Sequence, residues 1–163
     1  MKIELARIDD RFIHGQVLTK WVKLKPITRI IIVSDSVAKD EMRKTLVLSV
    51  APANVKASAV SVDKMVRAYN SPRYDKDNVM LLFECPEDIV NLVEKGVPIS
   101  EVNVGGMRFE RDRQQITKAV SVSPDNVTAF NKLNELGIEL ELRQLPGDTR
   151  VDFYKELKTK INK

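Results

Sequence analysis

The chain holds a single histidine, and it stands in a tract crowded with charge: Arg7-Ile-Asp9-Asp10-Arg11-Phe-Ile-His14-Gly15-Gln16. An imidazole with one bare ring nitrogen is a nucleophile near neutral pH, and an acceptor that holds the other ring N–H favours that form. Asp10 is the first candidate for this acceptor and Asp9 is the alternative. A phosphoryl group carried on His14 would bring about two negative charges. Arg11, with Arg7 as a second cation, can neutralise them through forked hydrogen bonds. Gly15 lets the backbone approach closely, and free N–H groups of a helix opening at Gln16 can cradle the phosphoryl oxygens. The competing reading is a solvated turn in which Asp9, Asp10 and Arg11 form local ion pairs, and spacing alone does not separate the two.

Such a tract acts only if regular elements hold it in place. Ile3 to Ile8 alternates apolar and polar residues and predicts a strand, so the His14 tract is the loop after it. Val17, Leu18, Trp21 and Val22 fall at helical spacing between Gln16 and Leu24, and Lys25-Pro26 ends that helix. Thr28–Val33 is a near-continuous apolar run, as expected for a strand covered on both faces. Ser34-Asp35-Ser36 then caps a helix through about Val50. Further strands are predicted at Lys56–Val60, Asn78–Glu84, Val102–Gly106, Ile116–Val122 and Ile138–Leu142. Helices are predicted at Ser61–Tyr69, from Pro86 to Gly96, at Pro124–Leu136 and at Asp152–Ile161. This alternation predicts an α/β fold: a single domain, residues 1–163, with a doubly wound, mainly parallel sheet and helices on both faces.

In such sheets ligands bind beyond the carboxyl ends of the strands. Other loops at that end therefore supply secondary candidates. Ser34, Asp35 and Ser36 follow the second strand and either support the His14 loop or simply cap the next helix. Gly105 and Gly106 either turn backbone amides toward a phosphate or a partner, or form a plain turn. Arg108, Arg111 and Arg113 crowd the same loop, to meet an acidic partner surface or to stay solvated. Trp21 and Met65 read as packing, and Cys85 closes an apolar run as an inert buried thiol.

Composition narrows the function classes. Of 163 residues, 43% are hydrophobic and 31% charged, which fits a globular domain and not a disordered chain. The net charge of +4 is spread among acids, and the aromatic residues are not interleaved with basic ones, so nucleic acid is not expected as a partner. One histidine and one cysteine cannot make up the usual four ligands of a zinc site. The residues Met1-Lys-Ile-Glu-Leu lack the apolar core of a signal peptide, and no run reaches the ~18 apolar residues of a membrane span. A cytoplasmic protein is expected, docking at most peripherally on a membrane complex.

The tract Arg7-Ile-Asp-Asp-Arg-Phe-Ile-His-Gly-Gln-Val17 closely resembles the active-site loop of the mannose/fructose/sorbose family of bacterial phosphotransferase-system enzyme IIB subunits. Phe12 stands where leucine is usual, an apolar exchange that leaves the chemistry alone. Ser34–Asp40 with Arg43-Lys44 resembles the family's second strand-to-helix segment, and Val102–Met107 its glycine loop. The resemblance implies that His14 is phosphorylated through Nδ1 by a IIA subunit or domain. It then donates to a sugar bound by the membrane IIC and IID subunits. No cofactor and no metal are implied, a homodimer is left open, and the lack of a Walker loop means that ATP is not the direct donor. The alternative is a regulatory or binding module of the same fold that does not phosphorylate sugar.

Overall fold

The computed structural model describes residues 1–161, with backbone alone for Gln16 and Val17. The strands are β1 (Lys2–Asp9), β2 (Arg29–Val33), β3 (Lys56–Val60), β4 (Asn78–Phe83), β5 (Glu101–Gly106), β6 (Gln114–Gln115), β7 (Ser121–Val122), β8 (Glu139–Leu142) and β9 (Val151–Asp152). The helices are α1 (Gly15–Leu24), α2 (Asp35–Ala38), α3 (Glu41–Leu48), α4 (Val62–Tyr69), α5 (Pro86–Glu94), α6 (Pro124–Glu135) and α7 (Phe153–Ile161). Seven strands form one sheet in the order β3-β2-β4-β1-β5-β8-β9, with every pairing parallel except β8 with β9. The short β6 and β7 pair antiparallel as a separate hairpin.

The apolar strands explain why helices must lie on both faces. Ile30 to Val33 of β2 and Val79 to Phe83 of β4 are buried throughout, so neither face of these strands is left to water. Leu18 and Trp21 of α1 and Val37 of α2 pack with Ile30, Ile32, Met80 and Leu82 on one face. Met65 of α4, Ile89 of α5, Phe130 of α6 and Phe153 of α7 pack with Ile31, Val33, Leu81 and Phe83 on the other. Each fully buried side chain of this size contributes roughly 1.5–3 kcal/mol over its exposed state. This is the doubly wound, mainly parallel architecture that the strand–helix alternation predicts.

Three local expectations need correction. The helix expected from Ser34 to about Val50 is two helices, because the Asp40 side chain accepts from the Arg43 N–H at 3.1 Å and caps α3 afresh. The strand expected over Ile116–Val122 is reduced to β7, since Thr117 and Val120 instead close a tight turn through their own backbone bonds. Asp152 ends β9 rather than opening the last helix; its carboxylate accepts from the Lys155 N–H at 3.1 Å.

The end of β1 carries the site. β1 lies between β4 and β5, and its pairing with β5 slips there: Ile8 faces Val104 but Asp9 faces Gly106. Gly105 is the unmatched residue of that bulge. A Cβ on Gly105 would come within 2.2 Å of the Arg7 Cζ, so only glycine leaves room for the guanidinium over the strand.

Candidate active site

His14 is the N-cap residue of α1, at the carboxyl end of β1. The connection between them is a tight turn in which the Phe12 N–H donates to the Asp9 carbonyl at 2.9 Å. Phe12 adopts φ of +56°, a region that a bulky residue enters only when its surroundings compel it. The compulsion is packing: the Phe12 ring is buried beside Arg43, whose guanidinium lies 5.5 Å from the ring centroid. Gly15 follows with φ of +42°, a conformation that glycine adopts without steric cost.

The Nε2 of His14 lies 2.8 Å from Asp9 Oδ2. Asp9 is wholly buried, whereas 24% of the His14 side chain is exposed. Burial alone pushes the Asp9 carboxyl up, but the hydrogen bonds from His14 and Arg11 and the Arg7 charge outweigh it and hold it below its ordinary value. An ionised carboxylate only accepts, so the Nε2 of His14 must be the protonated nitrogen. In the neutral ring the bare nitrogen is then Nδ1.

The expectation that Asp10 holds the imidazole is therefore corrected in favour of Asp9. Asp10 points elsewhere, and its Oδ2 accepts from the Arg108 N–H at 2.8 Å, which fastens the β5–β6 connection to the His14 loop. Arg11 wraps Asp9 from the solvent side: Nε reaches Oδ1 at 3.2 Å and the backbone N–H reaches it at 3.1 Å. About half of the Arg11 side chain (49%) remains exposed, so a ligand can engage it. Arg7 does not share that position. It is buried, donates to Asp9 Oδ2 at 3.0 Å, and turns its other amino group to Asn103 Oδ1 and the Arg143 carbonyl. Burial lowers the Arg7 pKa, and the adjacent Asp9 charge opposes that shift. Arg7 thus holds the carboxylate and is not placed to face a phosphate.

The glycines also differ from expectation. Gly105 makes space for Arg7, as above. The position a Cβ would take on Gly106 is 3.4 Å from both Arg11 and Asp9, an ordinary contact, so Gly106 borders the two side chains without a steric demand for glycine. A cleft of about 450 Å³ opens beside it, lined by residues that include Asp10, Arg11, Arg108, Lys118 and Gln144. Arg113 donates to the Arg108 carbonyl at 2.9 Å and shapes the loop, while Arg111 is exposed. The Gln16 side chain lies outside the described residues.

Ser34 and Asp35 form a neighbouring cluster, not part of the His14 contacts. Ser34 and Ser36 each donate to Glu84 Oε1 at 2.9 Å, and Arg43 closes the cluster on Glu84 Oε2 at 2.8 Å. Ser34 also caps α2 through the Val37 N–H, which was the bland alternative for this segment. Asp35 accepts from the Val62 N–H at 2.9 Å and tethers α4. The cluster touches the His14 loop through Arg43 on Phe12. Among the described residues no group of three or more His, Cys, Asp and Glu side chains is disposed to hold a metal ion.

Three residues that sequence reasoning passed over, Asn103, Glu141 and Arg143, stand behind the site with Trp21, the expected packing residue. Asn103 donates to Glu141 Oε1 at 3.0 Å, and Arg143 grips Glu141 through Nε and Nη2, both at 2.9 Å. Trp21 has Arg7 and Arg143 within 5.3 and 5.2 Å of its ring centroid, and its indole N–H donates to the Gln144 carbonyl at 2.9 Å. A polar Asn inside the apolar run Val102–Val104 was the one available signal.

Comparison with known proteins places this geometry. Residues 3–163 match the family described as the sorbose subfamily IIB component of the phosphotransferase system. A fructose-specific EIIB component of Bacillus subtilis (strain 168) is 63% identical over 158 residues, covering 97% of each chain. The mannose-specific EIIAB component of Escherichia coli (strain K12) is 52% identical over 163 residues, which cover all of this chain and 50% of that one. The crystal structure of the IIBSor domain of the sorbose permease from Klebsiella pneumoniae superimposes with a TM-score of 0.94 at 43% identity, over 98% of both chains.

Proposed function

Because the chain belongs to the sorbose subfamily of phosphotransferase-system IIB components, we propose that His14 is its phosphoryl carrier, with residues 1–163 acting as one IIB domain. A IIB component is a phosphotransferase serving the phosphoryl-transfer step to sugar, and the fused EIIAB relative implies a IIA partner. In this reading a phosphorylated IIA histidine presents its phosphorus to Nδ1 of His14. The Nδ1 lone pair forms the new P–N bond as the bond to the donor imidazole breaks. His14 then passes the group to a hydroxyl of a sugar held by the membrane IIC and IID subunits, whose proton is released. No helix among the described residues is long and apolar enough to cross a membrane.

The observation that carries this reading is the bond between His14 Nε2 and Asp9. It fixes the proton on one nitrogen, orients the ring, and leaves the other nitrogen bare. As the ring gains a phosphoryl group, its Nε2–H becomes more acidic and the buried carboxylate stabilises it. Arg11 is positioned to turn from Asp9 toward the incoming oxygens, and the free N–H groups at the start of α1 add their partial positive charge. Positioning and charge neutralisation do most of the work in phosphoryl transfer; the His14–Asp9 bond supports the first, and the exposed Arg11 beside it supports the second.

Intact-mass measurement after incubation with phosphorylated IIA tests the reading. One acid-labile phosphoryl group is expected, absent from His14→Ala. No gain with competent donors would favour a regulatory module of the same fold.

A further inference from the structure

The buried carboxylate of Glu141 lies two strands away from β1, on β8, and has no part in the transfer as described. It is 1% exposed, in a strand whose two ends, Glu139 and Leu142, are more accessible. Building on the reading of His14 as carrier, we propose that Glu141 is a positioning residue that fixes the reactive tautomer of His14 through Asn103, Arg7 and Asp9.

The chain of contacts alternates donors and acceptors without a gap. Arg143 donates to Glu141, Asn103 Nδ2 donates to Glu141 Oε1 at 3.0 Å, and Asn103 Oδ1 accepts from Arg7 Nη1. Arg7 Nη2 donates to Asp9 Oδ2 at 3.0 Å, and the same oxygen accepts from His14 Nε2 at 2.8 Å. Asn103 is the hinge of this arrangement. Its amide has two orientations, and a reversed one would set N–H against the Arg7 donors and carbonyl against the Glu141 carboxylate. Glu141, which only accepts when ionised, together with the Arg143 carbonyl therefore selects the orientation that offers oxygen to Arg7. Arg7 is held in turn with its fork on Asp9, over the space left by Gly105. No buried side-chain nitrogen or oxygen is left without a partner among the described residues, and the Arg143 carbonyl, held by the residue that grips Glu141, accepts from both Asn103 Nδ2 and Arg7 Nη1 at 3.1 Å.

The test compares Glu141→Gln and Asn103→Ala with the wild-type chain labelled with ¹⁵N in histidine. With one histidine in the sequence, the ring-nitrogen signals belong to His14 alone. In alkaline buffer, where the ring is neutral, wild type is expected to carry its proton on Nε2. Both variants are expected to shift population toward the Nδ1–H form. Their maximal rate of phosphoryl acceptance should fall about tenfold with the KM for phosphorylated IIA within about twofold. Should Glu141→Gln fail to fold, Asn103→Ala decides, because it cuts the path and leaves the Glu141–Arg143 pair in place. Folded variants with wild-type tautomer and rate, or a loss of thermal stability alone, would overturn the proposal. If wild type itself accepts no phosphoryl group, the carrier reading fails, while the ring-nitrogen comparison still decides whether Glu141 positions the imidazole.

Discussion

Two carboxylate clusters lie at the same end of the sheet, on the adjacent strands β1 and β4, and their charges are handled in opposite ways. At the end of β1, Asp9 is wholly buried yet faces Arg7, Arg11 and His14, and these hold its carboxyl below its ordinary value despite burial. Just after β4, Asp88 is pushed up to about 6, by burial first and then by Glu84, Asp35 and Glu87, against a single donor among the described residues, the Cys85 thiol. Burial is common to both, so the sign is decided by the neighbours. A group that must stay ionised to keep a proton on one nitrogen of its partner cannot be left among like charges. Glu84, beside Asp88, follows the Asp9 case: Arg43, Ser34 and Ser36 draw it down against burial.

The largest effect is expected where that compensation is broken. Asp9→Asn removes the acceptor-only group, allows His14 either tautomer, and leaves Arg7 buried without its counter-charge. Phosphoryl acceptance should fall by about 100-fold or more, and urea denaturation should show a loss of about 3–5 kcal/mol. The sign of the acid dependence follows from the depressed value. The stability Asp9 contributes is present above its unfolded value of 3.8 and is lost as pH falls through the lower folded one, so the acid limb of wild type should be shallower in Asp9→Asn.

Arg11→Ala should come next, slowing acceptance by about 10- to 100-fold because the cation facing solvent is gone. Half-exposed as it is, its removal should cost under about 1 kcal/mol of stability. Arg11→Lys should recover only part of the rate, since an ammonium restores charge without the fork. A normal rate in Arg11→Ala would contradict the neutralising role.

The smallest effect is expected at the other cluster, and in the opposite direction. A raised carboxyl value means that Asp88 contributes stability below its unfolded value of 3.8, which is lost as pH rises through about 6. Asp88→Asn should therefore melt like wild type near pH 4 and above it at pH 8, with transfer unchanged. Equal melting temperatures at both pH values would mean that the acidic neighbours are screened.

How much of this was legible in the residues differs between the two levels of structure. The sheet was, because β2 and β4 are continuous apolar runs and the helices between them have clear starts and stops. The split of α2 from α3 was obscured by a favourable helical pattern that Asp40 interrupts from its side chain. At the site, the loop that brings His14, Arg11 and Gly15 together after β1 was readable, although spacing alone did not separate a phosphoryl site from a solvated turn. The preference for Asp10 failed although a signal existed. The alternation of β1, carried one residue beyond Ile8, puts Asp9 on the face of Arg7, which is the face that α1 covers. Glu141 gave no such signal, since Leu140-Glu-Leu142 reads as an ordinary half-exposed strand. Its burial depends on partners from β5 and from the residues following β8, which no local pattern encodes.

The central claim is that Asp9 holds Nε2 and leaves Nδ1 to carry phosphorus. It is tested most directly by phosphorylating the ¹⁵N-histidine-labelled chain with IIA and reading the phosphorus–nitrogen coupling. The account predicts phosphorus on Nδ1 of His14, with Nε2 still bearing its proton. Phosphorus on Nε2, or on any residue other than His14, would contradict it.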